Sequence, residues 1–536
     1  MKKSIILICI LLFSVSVIMA QDWDQIIKVV ASDRAANDHF GYSVAISGNY
    51  AIVGAYWEDH NVIGADSLSK AGAAYIFMKS GDTWIQQQKI IASDRAVDDL
   101  FGISVAISGN YAIVGAYQED EDASGTNTLI NAGAAYIFYN NGSTWNQQQK
   151  IVVSDRSPYK YFGNSVAISG NYAIVGAYRE DGDANGENSI TQAGAAYIFY
   201  YDGSAWVQQQ KVVASDRTSY DEFGVSVAIS NGYAIVGAAN ESEDANGENT
   251  LSNAGSVYIF VQSGETWTQQ QKIVAFDRET SDYFGCSVDI DGDYVIVGAY
   301  DEDEDTSGTN SLNSAGSAYI FTRNINTWSQ QQKIVADDRA ESNWFGYSVA
   351  ISGDHAIIGA YREGWNTGAA YIFARNTTSW VQEQKIIASS RETFDYFGHS
   401  VDISGDYAIV GADEENEDAN EENTLFVAGA AYIFKKSEAA VKIGEKIIPT
   451  EFSIQNIYPN PFNPRTVISL HYATGCNSVI NIYNVQGVPV KKLINGYVEA
   501  GNYDLTWDAS DMPSAVYIVR MVAGDFIASQ KIVLIK

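Results

Sequence analysis

FGISVAISGNYAIVGAY, from Phe101 to Tyr117, is one of seven near-copies of a single stretch. The glycine after each phenylalanine stands at Gly41, Gly102, Gly163, Gly224, Gly285, Gly346 and Gly398, a spacing of 61 residues five times and then 52. A second glycine follows 13 residues later in every copy: Gly54, Gly115, Gly176, Gly237, Gly298, Gly359 and Gly411. Inside the stretch, SVAISG (104–109) and YAIVGAY (111–117) alternate apolar and small or polar residues about the turn at Gly109-Asn110. Period two about a short glycine turn predicts a β-hairpin. Seven such units at a near-constant period predict a closed radial array.

The rest of the unit supplies two more strands, GAAYIFY (133–139) and TWNQQQKIVV (144–153), joined to the next Phe-Gly through Ser154-Asp155-Arg156. Four antiparallel strands per repeat make one propeller blade. The fourth strand begins with a tryptophan that recurs at Trp23, Trp84, Trp145, Trp206, Trp267, Trp328 and Trp380, each followed five residues later by lysine. Its first copy precedes the first Phe-Gly, whereas the last repeat stops after its third strand at Phe434. The N-terminal strand is therefore expected to complete blade seven, joining the chain ends and removing two exposed edges. The expected fold is all-β: a seven-bladed propeller over 21–436, closed by an N-terminal strand. Phe-Gly, Gly-Ala, the tryptophan and the repeated Asp-Arg (Asp33-Arg34, Asp94-Arg95 and equivalents) read as framework, the glycines permitting close backbone approach.

These residues resemble the FG-GAP repeats of the integrin alpha-chain propeller and its bacterial relatives, over about residues 23–435. The resemblance implies a propeller used as a binding or adhesion platform. One feature departs from it. The calcium loop that the family carries between its first two strands is here a short turn such as Ser-Gly-Asn-Tyr, with partial echoes at Asp289, Asp291 and Asp293 and at Asp402 and Asp406.

What varies is the connection between strands two and three. It spans 18 residues from glycine to glycine in six repeats and 9 in the sixth, Gly359 to Gly368. The long loops cluster oxygen ligands at alternate positions: Asp120 and Asp122 in blade two, Asp181, Asp183 and Asn185 in blade three, Asp303 and Asp305 in blade five. Alternating oxygens followed by glycine suit a hard cation such as Ca2+, the expected cofactor, blade three fitting best. The competing reading is a hydrated surface loop. Connections between strands two and three and between blades emerge on one face, the expected binding rim. Its shortened sixth loop carries Arg362, Glu363 and Trp365, read either as a contact point or, for Trp365, as a cover for the truncated blade.

Net charge is -32, which excludes a nucleic-acid partner that needs Lys and Arg on phosphates. Residues 1–20, with Lys2, Lys3 and the apolar run from Ile5 to Ile18, have the layout of a cleaved signal peptide. No other stretch is long and apolar enough for a membrane helix. Cys286 and Cys476 fall in different domains and read as small packed residues.

Proline marks the second domain: Pro158 stands alone in the array, while the other six lie from Pro449 onward. Residues 437–451 read as a linker and 452–536 as a small β-sandwich of strand-like segments between Gly, Asn and Asp turns. This part resembles the C-terminal sorting domain of the type IX secretion system, through YPNPFNP (458–464), INIYNVQG (480–487), GNYDLTWD (501–508), VYIVRM (516–521) and QKIVLIK (530–536). The resemblance implies recognition by that secretion machinery and export to the cell surface or beyond.

No catalytic constellation stands out. The five histidines share no register, no His-Glu-x-x-His occurs, and Gly-x-Ser is followed by Val. The expected function is that of an exported, non-enzymatic binding or adhesion protein for a protein, glycan or surface polymer. A propeller glycoside hydrolase or polysaccharide lyase, or a structural surface-layer component, are the alternatives.

Overall fold

A computed structural model describes residues 22–64, 66–81, 83–437, 452–524 and 526–536, with backbone alone at 442–443 and 446–447. The expected signal peptide at 1–20 and most of the expected linker lie outside the described residues. Residues Asp22–Lys436 form one compact unit and the region from Ser437 to Lys536 belongs to another.

The first unit contains seven four-stranded antiparallel sheets among the described residues. Blade two is typical, with Ser104–Ser108, Tyr111–Ala116, Ala134–Asn140 and Trp145–Ile151 paired in sequence order from the centre outward. In blade seven the chain supplies Val401–Ser404, Tyr407–Ala412 and Ala430–Lys436, and the outermost strand is Trp23–Val29. Trp23 pairs with Lys436 and Val29 with Ala431, so the ring closes as the displaced first tryptophan required.

Adjacent blades touch through their backbones. A Cβ on Gly115 would lie 2.0 Å from the carbonyl oxygen of Gly163 in the next blade, and one on Gly133 would lie 2.0 Å from that of Phe162. Both approaches recur around the ring. Phe101 fills the space beside them. It is fully buried, edge-on to Tyr136 and Phe138 of its own blade, and packed into a core shared with Ile52, Ile76 and Ile90 of blade one.

The outer strands explain the Gln-Gln-Gln run. A register shift between Ile137 and Phe138 leaves Gln148 without a partner across the ladder, a bulge that re-aims its side chain. Gln147 then bonds Ser93 of the preceding connection, Gln148 accepts from the Trp206 indole at 3.1 Å, and Gln149 clasps the Trp206 backbone through both amide atoms. The last clasp in the ring joins Gln384 to Trp23. Inner strands are tied differently in places. Ser287, Asp289 and Asp291 accept from Val349, Ile351 and Gly353 N–H of blade six, and Asp402 accepts from Ile46 N–H of blade one. Three of the five aspartates that echoed a calcium loop, Asp289, Asp291 and Asp402, thus satisfy edge-strand donors.

Six of the seven blades also bury a charged cluster. In blade two, Lys150 Nζ sits 2.7 Å from Asp94 and 3.2 Å from Glu119, and the Tyr136 hydroxyl reaches both carboxylates at 3.0 and 2.7 Å. Asp94 comes from the repeated Asp-Arg, Lys150 from the fourth strand, Tyr136 from the third. Paired and hydrogen-bonded charges tolerate such burial. Asp99, close by, is pushed up to about 8 by burial and then by the Glu119 carboxylate; Asp38 and Asp282 reach about 8 in the same setting, and Asp221 about 7.

The second unit packs two sheets face to face. Ser453–Tyr458, Arg465–Tyr472 and Gly501–Asp508 form one; Pro489–Val498, Cys476–Asn484, Ala515–Ala523 and Phe526–Leu534 form the other. Ile468, Leu470 and Trp507 from the first meet Ile480, Val519 and Met521 from the second in a single core. Phe462 of the proline-rich segment is buried against Trp507 at 5.2 Å.

Two outcomes are expected. Gly109 has φ +57° with nothing near its Cβ position, so Gly109→Ala should cost about 1–2 kcal/mol of backbone strain. Gly115→Ala must open a blade seam and should lower the melting temperature by clearly more; equal losses would contradict the seam. Next, an aspartate whose native pKa exceeds its unfolded value holds its proton more tightly when folded, so its contribution falls as pH rises from about 4 through 8. The propeller should melt higher near pH ~5 than near pH ~9, and Asp99→Asn should narrow that difference.

Candidate functional site

The faces of the ring differ. Arg156, between blades two and three, donates to the carbonyls of Asp120 at 2.7 Å and Asn127 at 2.9 Å, stapling the blade-two loop to the connection that follows. Arg95, Arg217 and Arg339 donate to the carbonyls of Asp59, Asp181 and Asp303 in the same way. Both kinds of connection therefore share one face, together with the beginnings of the inner strands and the ends of the second strands.

The acidic loops spend much of their oxygen on themselves. Asp120 accepts from Asn131 N–H at 2.6 Å, and Asp122 from Ser124 N–H and Oγ and from Thr126 N–H. Asp303 and Asp305 repeat this with Ser314, Ser307 and Thr309. In blade three Asp181 accepts from Gln192 N–H and pairs with Lys160 at 2.6 Å, while Asp183 accepts from the N–H groups of Asn185 and Glu187 and from the Asn188 side chain. The Ser124 hydroxyl and the Thr126 N–H hold the Asp122 carboxyl down at about 2. Asp94, Glu119 and Glu121 bring ligand oxygens within 4.8 Å of one another, but Lys150 already reaches two of the three.

The short sixth loop is a left-handed turn, with φ near +65° at Gly364, Trp365 and Asn366. Trp365 is 88% exposed and covers nothing, which removes the reading of it as a lid on the truncated blade. Glu363 pairs with Lys385 at 2.9 Å and Arg391 at 2.7 Å, taking the place of the buried glutamates of the other blades. The Arg362 guanidinium lies 3.5 Å over the ring of Trp344, away from the rim and toward the centre.

At that centre three positions per blade converge. After Phe-Gly stand Tyr42, Ile103, Asn164, Val225, Cys286, Tyr347 and His399; after Gly-Ala stand Tyr56, Tyr117, Tyr178, Ala239, Tyr300, Tyr361 and Asp413; before Phe-Gly stand His39, Leu100, Tyr161, Glu222, Tyr283, Trp344 and Tyr396. They flank invariant dipeptides and yet differ from blade to blade. Eleven of these residues and three neighbours, among them Tyr42, Glu222, Cys286, Tyr300, Tyr347 and His399, border a cavity of about 420 Å3. The aromatic rings form a continuous wall: His39 to Tyr56 at 5.2 Å, Tyr56 to Tyr42 at 4.4 Å, Tyr42 to His399 at 4.7 Å, His399 to Tyr347 at 5.2 Å, Tyr347 to Tyr361 at 4.6 Å, and Trp344 to Tyr300 at 4.8 Å. Opposite, Tyr117, Tyr161 and Tyr178 follow one another at 5.2 and 5.7 Å, with Arg179 over Tyr161.

Blade seven breaks the tyrosine ring with Asp413, a buried carboxylate set between His39 Nδ1 at 3.2 Å and His399 Nδ1 at 3.7 Å. Burial pushes up Tyr42, with Asp413 and the hydroxyls of Tyr117, Tyr361 and Tyr178 adding to it. Burial also raises the Cys286 thiol to about 12, so this cysteine lines the mouth as an unreactive small side chain. Reading for clusters of chemistry-bearing residues passed over this site. The signal that marks it is blade-to-blade variation immediately beside the repeated dipeptides.

Comparison with known proteins fits this architecture. FG-GAP repeats match at residues 23–77, 84–138, 145–199, 206–260, 267–321, 328–373 and 380–434, and a secretion system C-terminal sorting domain matches at 456–536. No curated protein matched the chain. Among solved structures, PorZ of Porphyromonas gingivalis, a surface component of its type IX secretion system, is similar at 12% identity over 92% of this chain and 75% of that one, TM-score 0.25. The β-propeller domain of the Trilobed protease from Pyrococcus furiosus is 9% identical over 72% and 91%, TM-score 0.37. Sqt1 from Chaetomium thermophilum is 11% identical over 84% and 97%, TM-score 0.39. The seven in-register repeats and the terminal sandwich carry the assignment: the chain belongs to the FG-GAP repeat family as a seven-bladed propeller, and its type IX sorting domain sends it to the cell surface or outside.

Proposed function

We propose that the propeller is a non-enzymatic binding module that takes an extracellular ligand at the central mouth of the face bearing the acidic loops. One observation carries this reading: substitutions among otherwise repeated blades gather on the residues that border the cavity of about 420 Å3. A ring that needed only to close would gain nothing from replacing tyrosine by Asp413 or Ala239. Half-buried aromatic rings with polar tips are efficient contact residues, offering large rigid area at low entropic cost.

Relative to the rim expected from sequence, the site moves inward. Arg362 contributes by bracing Trp344, Glu363 is engaged in ion pairs, and Trp365 stands apart. Calcium belongs to this proposal as a stabiliser of the blade-three loop. Asp181 and Asp183 use part of their oxygen on loop donors, and a carboxylate with about four lone-pair sites keeps capacity for a cation.

Binding of the mature chain to glycans, matrix proteins and cell surfaces is the direct test. For whichever ligand is found, Tyr347→Ala with Trp344→Ala should weaken affinity at least about tenfold, as expected for central aromatic anchors, while Trp365→Ala leaves it unchanged; the reverse pattern would return the site to the rim. Turnover of a polysaccharide by the pure protein would instead favour a glycan-cleaving enzyme, and absence of any saturable ligand a structural role. If calcium binds, it should raise the melting temperature, and Asp181→Ala with Asp183→Ala should abolish that rise. A parent protein indifferent to calcium ends that part of the proposal.

A further inference from the structure

We infer that the mouth is a saccharide site, its ligand a neutral sugar ring or chain end; this rests on the binding reading above and names the ligand class. The contrast between two sets of tyrosines points there. Framework tyrosines have their hydroxyls satisfied: Tyr136 reaches Asp94 and Glu119, and Tyr319 reaches Asp277 and Glu302. The mouth tyrosines Tyr42, Tyr300 and Tyr347 turn toward the cavity, and their hydroxyls have no hydrogen-bond partner among the described residues. Their rings are meanwhile held in place, Tyr347 against Tyr361 at 4.6 Å and Tyr300 against Trp344 at 4.8 Å.

Two further polar groups border the same cavity. The Glu222 carboxylate makes no hydrogen bond or ion pair among the described residues, and neither does the Asn240 side-chain amide. Flat rings flanked by donors and acceptors suit a ligand that is itself flat and apolar on its faces and hydroxylated at its edge. Charge narrows the class. The lining itself holds no Lys or Arg, and the two arginines beside the mouth, Arg179 and Arg362, lie over the rings of Tyr161 and Trp344. Its one carboxylate is Glu222, whose charged form burial disfavours, with the Arg179 charge partly offsetting the burial, so it makes a poor fixed partner for an ammonium group. A volume of about 420 Å3 lies inside the small-ligand range of about 300–1,000 Å3.

The test is an array carrying neutral, carboxylated and amine-bearing glycans together with basic peptides, probed with the full chain and followed by titration of each hit. The expected result is saturable binding to one or more neutral glycans, weakened at least about tenfold by Tyr300→Ala with Tyr347→Ala. Tyr300→Phe with Tyr347→Phe keeps the rings and guards against a folding defect; it should still lose affinity through the missing hydroxyls. Binding confined to amine-bearing glycans or basic peptides and lost in Glu222→Gln would overturn the saccharide class and leave the mouth as the site. So would failure of every neutral glycan to bind while another class does. A ligand of any class that ignores the double alanine variant would take down the mouth reading itself.

Discussion

The ring depends on one close approach of two backbones. The carbonyl oxygen of each Phe-Gly glycine presses against the Gly-Ala glycine of the preceding blade, so that a single Cβ at Gly54, Gly115 or Gly176 would collide at about 2 Å. Blades can wedge this tightly only where neither side carries a side chain, and the tightness fixes how far one sheet is rotated from the next. With that geometry set, the phenylalanine has a slot to fill, and Gln149 can span the gap at the periphery to clasp Trp206. Gln384 makes the same clasp on Trp23 and so brings the N-terminal strand into the ring.

Close packing of the seams carries charge inward with it. The repeated Asp-Arg was legible as framework, and the structure divides its labour. The aspartate meets a buried lysine and tyrosine, while the arginine reaches across to loop carbonyls of the blade before. Each seam therefore holds several carboxylates around one ammonium group, and aspartates such as Asp99 retain protons that exposed ones lose. Much of the chain's acidity is engaged in the ring and in the loop turns. Residues such as Asp122 and Asp305, which read along the sequence as clustered carboxylates, cap their own loops.

A position must be structurally constrained before its variation means anything. In the loops after Tyr117 or Tyr178, variation is what surface residues do by default. Beside Phe-Gly and after Gly-Ala the backbone is held by the seam, so the changes from Tyr56 to Ala239 to Asp413, or from Tyr42 to Asn164 to His399, occur on a fixed frame. Those changes were present in the aligned repeats. Without knowing that both positions end at the same mouth, however, they read as noise inside a framework motif.

The sequence by itself determined the period, the four strands of each blade, the displaced first strand and the sandwich that follows, because alternation, glycine spacing and a tryptophan marker are local and repeat. It also determined the address, through motifs that lie in order along the last residues. Only the tertiary structure decided which residues face one another across the ring. Ring closure brings Tyr42 beside His399, 357 positions later in the chain, and sets Asp413 between two histidines from opposite ends of the propeller. No spacing rule within a single repeat encodes such neighbours, since they come from seven different blades meeting at one axis.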